Sequence, residues 1–233
     1  MYKTELELVN LQQTGVLLLE KQIEAQHLSI EEIPENIPGY LHFNRLDNFG
    51  LINASPDVET FFELTTNEII SEGNAFVKNH FHQSTLEINM AQLIAFFKNS
   101  QPAAVIGQFQ KIRKNCSSEY CTFIGFTKIC PSFNCFLTVQ NPVEIFGPLA
   151  VKLNRLVDDN EFVRENYLKF QTLTKREIEI LRMVAYGKSR NEIANSLHIS
   201  KLTFDNHRKS IRQKLEIKSA ARLYQFIQAF DLY

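Results

Sequence analysis

LTKREIEILRMVAYGKSRNEIANSLHISKLTFDNHRKSIRQKL, residues 173–215, is the stretch of this sequence that predicts most about the fold. Its first helix begins after Thr174, because Thr174 and Glu177 have the three-residue spacing of a capping box. In that motif each side chain bonds the free backbone N–H of the other residue. Apolar residues then recur at helical spacing up to Gly187, which suits the left-handed conformation that ends many helices.

Two more helix starts follow closely. Ser189 and Glu192 form a second capping box, and Ser200 is a third N-cap. His198 occupies the intervening turn, at a position that often requires positive φ, and histidine is among the non-glycine residues that tolerate it. Two short helices joined by so brief a turn, the second rich in basic residues, are typical of a helix-turn-helix.

The second of these helices, residues 201–214, has two distinct faces and is predicted to be a recognition helix. At about 100° per residue, Phe204, His207, Ile211 and Leu215 share one face, which we expect to be buried. The opposite face carries side chains that can reach base edges, and cations flank it where phosphates would lie. The predicted DNA-contacting residues are Lys201, Leu202, Asp205, Asn206, Arg208, Lys209, Arg212, Gln213 and Lys214.

The patterns L-T-x-R-E-x-E-I-L, A-x-G-x-S, E-I-A-x-x-L-x-I-S-x-x-T and H-x-x-x-I-x-x-K-L occur in this order within the quoted stretch. At these fixed spacings the sequence resembles the LuxR-type DNA-binding domain, from roughly Leu173 to Phe230. The resemblance implies an all-α domain of four helices, with Ala221–Phe230 in the last helix, which is often a dimer contact.

The same resemblance implies that Asp205, Asn206 and Lys209 read DNA. Two residues depart from the family pattern. Phe204 replaces the usual small β-branched residue, so the core must adjust locally. Asp205 stands where the family often has lysine, which weakens phosphate attraction there and leaves the base preference open.

The charge of the chain is divided unevenly. The net charge is −1 over 233 residues. Residues 172–233 carry 12 basic and 6 acidic side chains, a net +6, whereas residues 1–171 carry 13 basic and 20 acidic side chains, a net −7. A cationic module attached to an anionic one favours nucleic-acid binding by the C-terminal part alone.

The preceding part of the chain predicts strands and short helices. Residues 53–62 and 65–70, N-A-S-P-D-V-E-T-F-F and T-T-N-E-I-I, are similar to PAS domains where the second strand runs into the helices. This resemblance covers about Ile37–Pro142 and implies one antiparallel sheet with helices packed on one face, sensing a small molecule, a cofactor or a partner surface. The predicted strands are Tyr40–Arg45, Leu51–Ala54, Ala103–Ile112, Cys121–Cys130 and Asn134–Val139, with a helix at Leu86–Lys98.

These patterns predict an α+β protein in four parts. Residues 1–36 contain an N-terminal helix, over Glu5–His27, and residues 37–142 form the PAS-like sensor domain. Residues 143–171 form a helical connector, and residues 172–233 form the LuxR-type helix-turn-helix domain.

The connector has two alternative interpretations. Leu149, Leu153, Leu156, Asn160, Val163, Tyr167 and Phe170 are spaced as the a and d positions of three heptads, with Asn160 at an a position. One interpretation is a dimeric signalling helix that joins the sensor to the DNA reader. The other is two short helices, broken at Asp158-Asp159, each packed on its own domain.

Four cysteines lie within 20 residues, but their C-x4-C-x8-C-x4-C spacing is not that of a zinc ribbon. Cys121 and Cys130 end one predicted strand, which places them roughly 30 Å apart at about 3.3 Å per residue, too far to share an ion. We therefore predict no metal site and expect structural, reduced thiols, although a redox disulfide within Cys116/Cys121 or Cys130/Cys135 stays open. His80 and His82 are expected to be surface histidines in a polar loop rather than haem ligands.

No phosphate-binding glycine loop, H-E-x-x-H or G-x-S-x-G pattern occurs, so we expect no enzymatic activity. No cofactor is predicted, and nothing in the sequence identifies a ligand of the PAS-like domain. The N-terminus has no signal-peptide pattern and no apolar run is long enough to span a bilayer, so we expect a cytoplasmic protein without membrane contact.

The function that these patterns predict is sequence-specific DNA-binding regulation of transcription, with double-stranded DNA as partner and activity modulated through the PAS-like domain by a ligand or partner. A homodimer on two half-sites about one helical turn apart is expected, and RNA polymerase is a further possible partner. The alternative is a sigma-like RNA polymerase subunit, whose promoter-reading module has a similar helix-turn-helix. Such a subunit would need basic, aromatic helices upstream, and residues 1–171 are instead acidic and contain strands.

Overall fold

The computed structural model describes residues 15–21, 23, 25, 29, 30, 32, 39–99, 104–115 and 117–233. The chain divides into two compact units, an N-terminal unit, Met1–Asn154, and a C-terminal unit, Arg155–Tyr233. The predicted α+β class is confirmed, because strands occur in the first unit and the second contains helices only. In the described part of the chain, no helix is both long and apolar enough to cross a membrane.

The N-terminal unit is built on one antiparallel sheet of five strands in the order β2-β1-β5-β4-β3. Three of the predicted strands have the observed bounds. The fifth was predicted to start at Asn134, but that residue has a φ of 49° and ends a short 3-10 turn, so the strand starts one residue later. The strands are β1 (Tyr40–Arg45), β2 (Leu51–Ala54), β3 (Val105–Ile112), β4 (Cys121–Cys130) and β5 (Cys135–Pro142); the predicted start of β3, Ala103, lies outside the described residues.

Four helices lie between β2 and β3. They are α1 (Pro56–Phe62), α2 (Thr66–Glu72), α3 (Asn74–His80) and α4 (Gln83–Asn99). Thr65 caps α2 through a capping box with Glu68, as the sequence T-T-N-E allows. Phe61, Phe62 and Phe76 of these helices pack with Phe123 of the sheet, so an aromatic core joins the helices to one sheet face.

The opposite face of the sheet is covered as well, which differs from the single covered face that the PAS resemblance implies. Residues 15–21, 23 and 25 are helical, and the rest of the predicted helix Glu5–His27 lies outside the described residues. Leu19 and Ile23 pack in one buried cluster with Phe43. Lys128 of β4 is buried on this side and forms an ion pair with Glu20, which keeps its ammonium group from being unpaired.

His80 is not the surface histidine that the sequence predicted. It ends α3, is only 4% exposed, and packs against the rings of Phe62 and Phe76. Its Nδ1 lies 3.0 Å from the carbonyl oxygen of Arg113, so its polar edge is satisfied by backbone. His82 is half-buried and contacts the ring of Tyr120.

The cysteines at the β4–β5 hairpin are free thiols. Cys130 and Cys135 are register partners at the end of the two strands, and both are 0% exposed. Burial, and then the neighbouring Cys130, raise the pKa of Cys135 to about 12, so this thiol stays protonated. Cys121 is a free thiol too, and Cys116 lies outside the described residues.

Helix α5 (Leu149–Gln171) is continuous, so of the two interpretations left open for the connector, the one with two short helices broken at Asp158-Asp159 is wrong. Aspartate is among the least favourable of the ordinary residues in a helix, but it costs only up to about 0.7 kcal/mol relative to alanine, far less than proline, so two of them do not end the helix. In the C-terminal unit, the ring of Phe162 packs edge-on against Phe226, with centroids 4.8 Å apart. Phe170 stacks on Phe230 at 4.1 Å.

After α5, the C-terminal unit contains four helices, the number that the resemblance implied, and the last begins and ends one residue earlier than Ala221–Phe230. They are α6 (Lys175–Ala185), α7 (Arg190–Ser196), α8 (Lys201–Lys214) and α9 (Ala220–Ala229). All four are followed by a residue with positive φ, namely Gly187, His198, Glu216 and Asp231. Only the first of these is a glycine, and the prediction that His198 adopts this conformation is confirmed by its φ of 52°.

Candidate DNA-binding surface

Helix α8 is held by its apolar face. Phe204, Ile211 and Leu215 are each less than 5% exposed and belong to the core of the C-terminal unit, as predicted. His207, predicted on the same face, is only half-buried. The helix begins at Ser200, whose side chain accepts a hydrogen bond from the backbone N–H of Thr203 at 3.0 Å.

The predicted DNA-contacting residues occupy the rest of the helix surface. Leu202 is 69% exposed, and Lys201, Asn206, Arg208, Lys209 and Gln213 are exposed as well. Asp205, Arg212 and Lys214 are half-buried. A shallow groove runs along one side of the helix and is lined by Asp205, Arg208, Lys209, Arg212, Gln213 and Ile217.

Lys214 differs from the other cations because it is bound inside the domain. Its Nζ donates to Oε2 of Glu177 at 2.6 Å, and the Ser210 hydroxyl donates to Oε1 of the same carboxylate at 2.7 Å. The backbone N–H of Thr174 also donates to Glu177, which completes the predicted capping box. The carboxylate therefore joins the start of α6 to the end of α8.

The Glu177 carboxylate is held in its charged form. Its side chain is 3% exposed, and burial alone would raise its pKa. Hydrogen bonds from Lys214, Ser210 and Thr174 outweigh burial and lower the pKa of Glu177 to about 2. The sequence indicated the capping role of this residue but not its contacts with α8.

Asp205 is paired as well. Its Oδ2 accepts a hydrogen bond from Nη2 of Arg190, the first residue of α7, and the two side chains form an ion pair. The sequence pattern does not single out Arg190, because the contact joins positions 15 residues apart across the helix-turn-helix. The only available sequence signal was a basic residue directly after the N-cap Ser189.

A second unpredicted contact supports the turn between α7 and α8. Nη2 of Arg176, in the first turn of α6, donates to the carbonyl oxygen of Leu197 at 2.8 Å. Within the turn, the backbone N–H of Ile199 donates to the carbonyl oxygen of Ala194 at 3.0 Å. These bonds fix the direction in which α8 leaves the turn.

Comparison with known proteins identifies this part of the chain. Residues 171–227 match the family model of the bacterial regulatory proteins of the luxR family. The uncharacterized response regulatory protein YgeK of Escherichia coli is 37% identical over 86 residues, which cover 31% of this chain and 58% of YgeK. The transcriptional regulatory protein TdiR of Thauera aromatica is 40% identical over 79 residues, which cover 34% of this chain and 35% of TdiR.

The DNA-binding transcriptional activator EvgA of Escherichia coli is similar over the same kind of length, with 36% identity over 33% of this chain and 36% of EvgA. The match thus covers between about a third and three fifths of the length of these curated relatives. Among solved structures, the VqmA–ligand–DNA complex of Vibrio cholerae covers 89% of this chain and 90% of its own, at 16% identity and a TM-score of 0.35, too low to compare the whole folds. The C-terminal unit therefore contains a LuxR-type helix-turn-helix domain, the domain of the bacterial regulatory proteins of the luxR family.

Proposed function

We propose that this protein regulates transcription by binding double-stranded DNA in a sequence-specific manner, with helix α8 as the reading element, and that it acts by binding rather than by catalysis. One observation carries the proposal most directly. Within a domain of the luxR family, α8 is fixed by three buried apolar side chains while its opposite face is exposed, polar and flanked by cations. We also propose that the protein is located in the cytoplasm of a bacterial cell, where transcription takes place.

The side chains divide into two roles by chemistry. Asn206 and Lys209 are exposed near the middle of α8 and are suited to adenine and guanine edges, respectively. Lys201, Arg208 and Arg212 lie beside them and suit phosphates, which position the protein without reading sequence. Leu202 and Gln213 extend the exposed stripe, whereas Lys214 contributes less because Glu177 already binds its ammonium group.

Substituting Asn206 with alanine should relax the base preference at one position of the binding site, by about 1–3 kcal/mol of lost discrimination. Selection of bound sequences from random DNA, by wild type and variant, measures this directly. Asn195→Ala is the matched control, because Asn195 is exposed on α7 rather than on α8. If the variant selected the same DNA motif and only bound all sequences more weakly, the assignment of Asn206 to base recognition would be wrong.

The alternative, a sigma-like polymerase subunit, predicts a different requirement. A regulator of the proposed kind should protect its sites when purified alone, whereas a sigma subunit generally needs core RNA polymerase. DNase footprinting with and without core polymerase therefore separates the two functions. Contact with RNA polymerase at a promoter remains compatible with the first of them.

The proposed division of the chain follows the sequence prediction, with an N-terminal helix in residues 1–36, a PAS-like sensor in 37–142, a connector in 143–171 and the DNA-binding domain in 172–233. The strand–helix–strand order of the N-terminal unit, with four helices packed on one face of an antiparallel sheet, supports a PAS-like assignment. A sensor role is supported further by a cavity of about 480 Å³ between α1–α4 and that face.

The cavity is lined by aromatic rings and by uncharged polar groups. The rings of Tyr40, Phe61 and Phe123 are mutually in edge-to-face contact. Arg45, an exposed residue, is the only charged side chain among the described residues that line the cavity. The polar sheet residues that line it are His42, Asn44, Gln108, Gln110, Thr127, Thr138 and Gln140.

Two of these polar residues, His42 and Gln140, can still bond a ligand. Burial lowers the pKa of His42, although the bond to Asn44 acts against it, so the ring is neutral at pH 7. Asn44 donates through Nδ2 to Phe49 O and accepts through Oδ1 from His42 Nδ1, which leaves His42 Nε2 as an acceptor. Gln140 makes no side-chain hydrogen bond to the described residues, so its amide offers a donor and an acceptor.

We therefore expect an uncharged, planar ligand with both hydrogen-bond donors and acceptors. Benzamide, benzoate and benzamidine are nearly isosteric probes of neutral, negative and positive charge. Benzamide should bind about tenfold more tightly than either ion, because an ion would be desolvated without a buried counter-charge. Titration by NMR measures this, with Gln140→Leu losing the preference and the exposed Gln171→Leu retaining it. Tighter binding of benzoate or benzamidine would contradict the assignment.

A homodimer is the proposed assembly, and the heptad residues of α5 are its proposed seam. Leu156 is 52% exposed and Tyr167 is 50% exposed in the single chain, and Asn160 between them is exposed. Phe170, the last predicted heptad position, is instead stacked on Phe230. The seam is therefore proposed for the middle of the helix, where Asn160 would meet its twin across a parallel pair.

Cysteine at position 160 should crosslink the two protomers quickly, in a background whose accessible native cysteines are changed to serine. Cysteine at position 158, which is exposed but off the heptad stripe, is the matched control and should react much more slowly. Non-reducing electrophoresis during oxidation measures both rates. Equal slow rates at the two positions would exclude a seam at Asn160.

A further inference from the structure

The candidate DNA-binding surface contains one acidic side chain, Asp205, among the residues predicted to contact DNA. A carboxylate at position 205 repels the phosphates that flank any base read by α8. The structure pairs that carboxylate with Arg190, and the same guanidinium nitrogen lies 3.4 Å from the carbonyl oxygen of Lys201. The side chain of Arg190 therefore crosses from the start of α7 to the first turns of α8.

Stability of the fold does not explain the pair. The side chain of Arg190 is 48% exposed and that of Asp205 is 41% exposed, and ion pairs with such access to water add little to stability. The contact between α7 and α8 is already supplied by buried apolar side chains, among them Ile193, Leu197 and Phe204. The main effect of this surface ion pair is therefore to fix the position of the Arg190 guanidinium group.

We infer that Arg190 is a DNA-phosphate contact of the first helix-turn-helix helix, and that Asp205 is the positioning residue that holds it there. Arginine has five N–H donors in a planar fork, and Asp205 and Lys201 engage only Nη2. The Nε and Nη1 donors make no hydrogen bond to the described residues, and a planar fork of this kind suits phosphate oxygens. The inference rests on the proposed reading of DNA by α8.

The two possible roles of Asp205 predict opposite signs for one substitution. If the acid only repels DNA, Asp205→Ala should tighten binding. If the acid positions Arg190, the same substitution should weaken binding, by at least about threefold, because the released side chain loses its fixed orientation. In an Arg190→Ala background there is no arginine side chain for Asp205 to position, and only its repulsion of DNA phosphates remains. Asp205→Ala should therefore tighten DNA binding in that background.

The experiment is a double-mutant cycle with the full chain, on a DNA site selected by the wild-type protein, at several salt concentrations. Arg190→Ala should make the plot of log K against log salt shallower by about 0.9, the value for one lost phosphate contact. Arg182→Ala is the matched control, because Arg182 is an exposed arginine of α6, a helix outside the helix-turn-helix pair α7 and α8. Thermal unfolding of all variants should match the wild type, since the pair adds little to stability.

Each outcome decides between the roles. Weaker binding by Asp205→Ala alone, with tighter binding in the Arg190→Ala background, supports the positioning role. Tighter binding in both backgrounds, or an unchanged salt slope for Arg190→Ala, overturns it while leaving DNA reading by α8 intact. A wild-type protein that selects no DNA sequence at all overturns the proposed function and this inference together.

Discussion

Replacing Phe204 by alanine should destabilise the C-terminal unit by about 3–5 kcal/mol, the range for truncating a buried phenylalanine in a packed core. The ring is 4% exposed and shares a cluster with Leu181, Ile193 and Ile211, which belong to three different helices. The cavity left behind would remove packing contacts between α8 and the two helices against which it packs. A loss of this size is a large part of the total stability of most domains, so DNA binding should fall because the reading element unfolds.

Amide hydrogen exchange of the full chain is the appropriate measurement, because it reports the opening of α8 separately from the N-terminal unit. Leu202→Ala is the matched control on the same helix, since Leu202 is 69% exposed and its truncation should change stability by less than about 0.5 kcal/mol. The Phe204→Ala molecules that remain folded should select the wild-type DNA motif. Equal losses of stability for the two substitutions, or a changed DNA motif for Phe204→Ala, would contradict a purely structural role of Phe204 in the core.

The second large effect is expected at Glu177 and depends on pH. Its pKa falls from an ordinary value of 4.5 to about 2 in the folded protein, which corresponds to about 3 kcal/mol of stability. Because the folded pKa is the lower one, this contribution is fully present above pH 4.5. It is lost progressively as the pH falls toward 2, where the folded-state carboxylate takes up its proton.

Glu177→Gln isolates this contribution, because the amide resembles the protonated carboxyl in shape and charge. The variant should be less stable than wild type by about 3 kcal/mol at pH 7, and the difference should shrink steadily between pH 4.5 and pH 2. Glu179→Gln is the matched control, since its side chain is 52% exposed and forms a surface ion pair with Arg176. Denaturant unfolding at a series of pH values measures both, and a difference independent of pH would show that Glu177 acts through shape alone.

Local signals explain why the helix-turn-helix could be predicted closely. The capping boxes at Thr174 and Ser189 each involve residues three apart, and both are observed. The N-cap at Ser200 and the positive φ of His198 also depend on a few neighbouring atoms. The strand bounds of β1, β2 and β4 follow in the same way from runs of residues between turn signals.

Predictions failed where distant segments decide the environment of a residue. The polar neighbours of His80 suggested a surface loop, but α1 and α3 bring Phe62 and Phe76 against its ring. The sequence left a helix break at the acidic pair Asp158-Asp159 open as one of two interpretations, but α5 continues, and Phe162 and Phe170 pack on α9 and stabilise the helix from outside. Neither contact is visible in a window of a few residues.

The sequence by itself determined the helix-turn-helix, its caps and turn, the apolar face of α8 and most strand bounds, because these depend on side-chain periodicity and on bonds between near neighbours. The tertiary structure alone decided the second covered face of the sheet and the cavity on the first face. It also decided the ion pairs Arg190–Asp205 and Glu177–Lys214, whose partners lie 15 and 37 residues apart. Charges and polar groups at such separations meet only after apolar packing has set the directions of the helices, so no local pattern encodes which of them become partners.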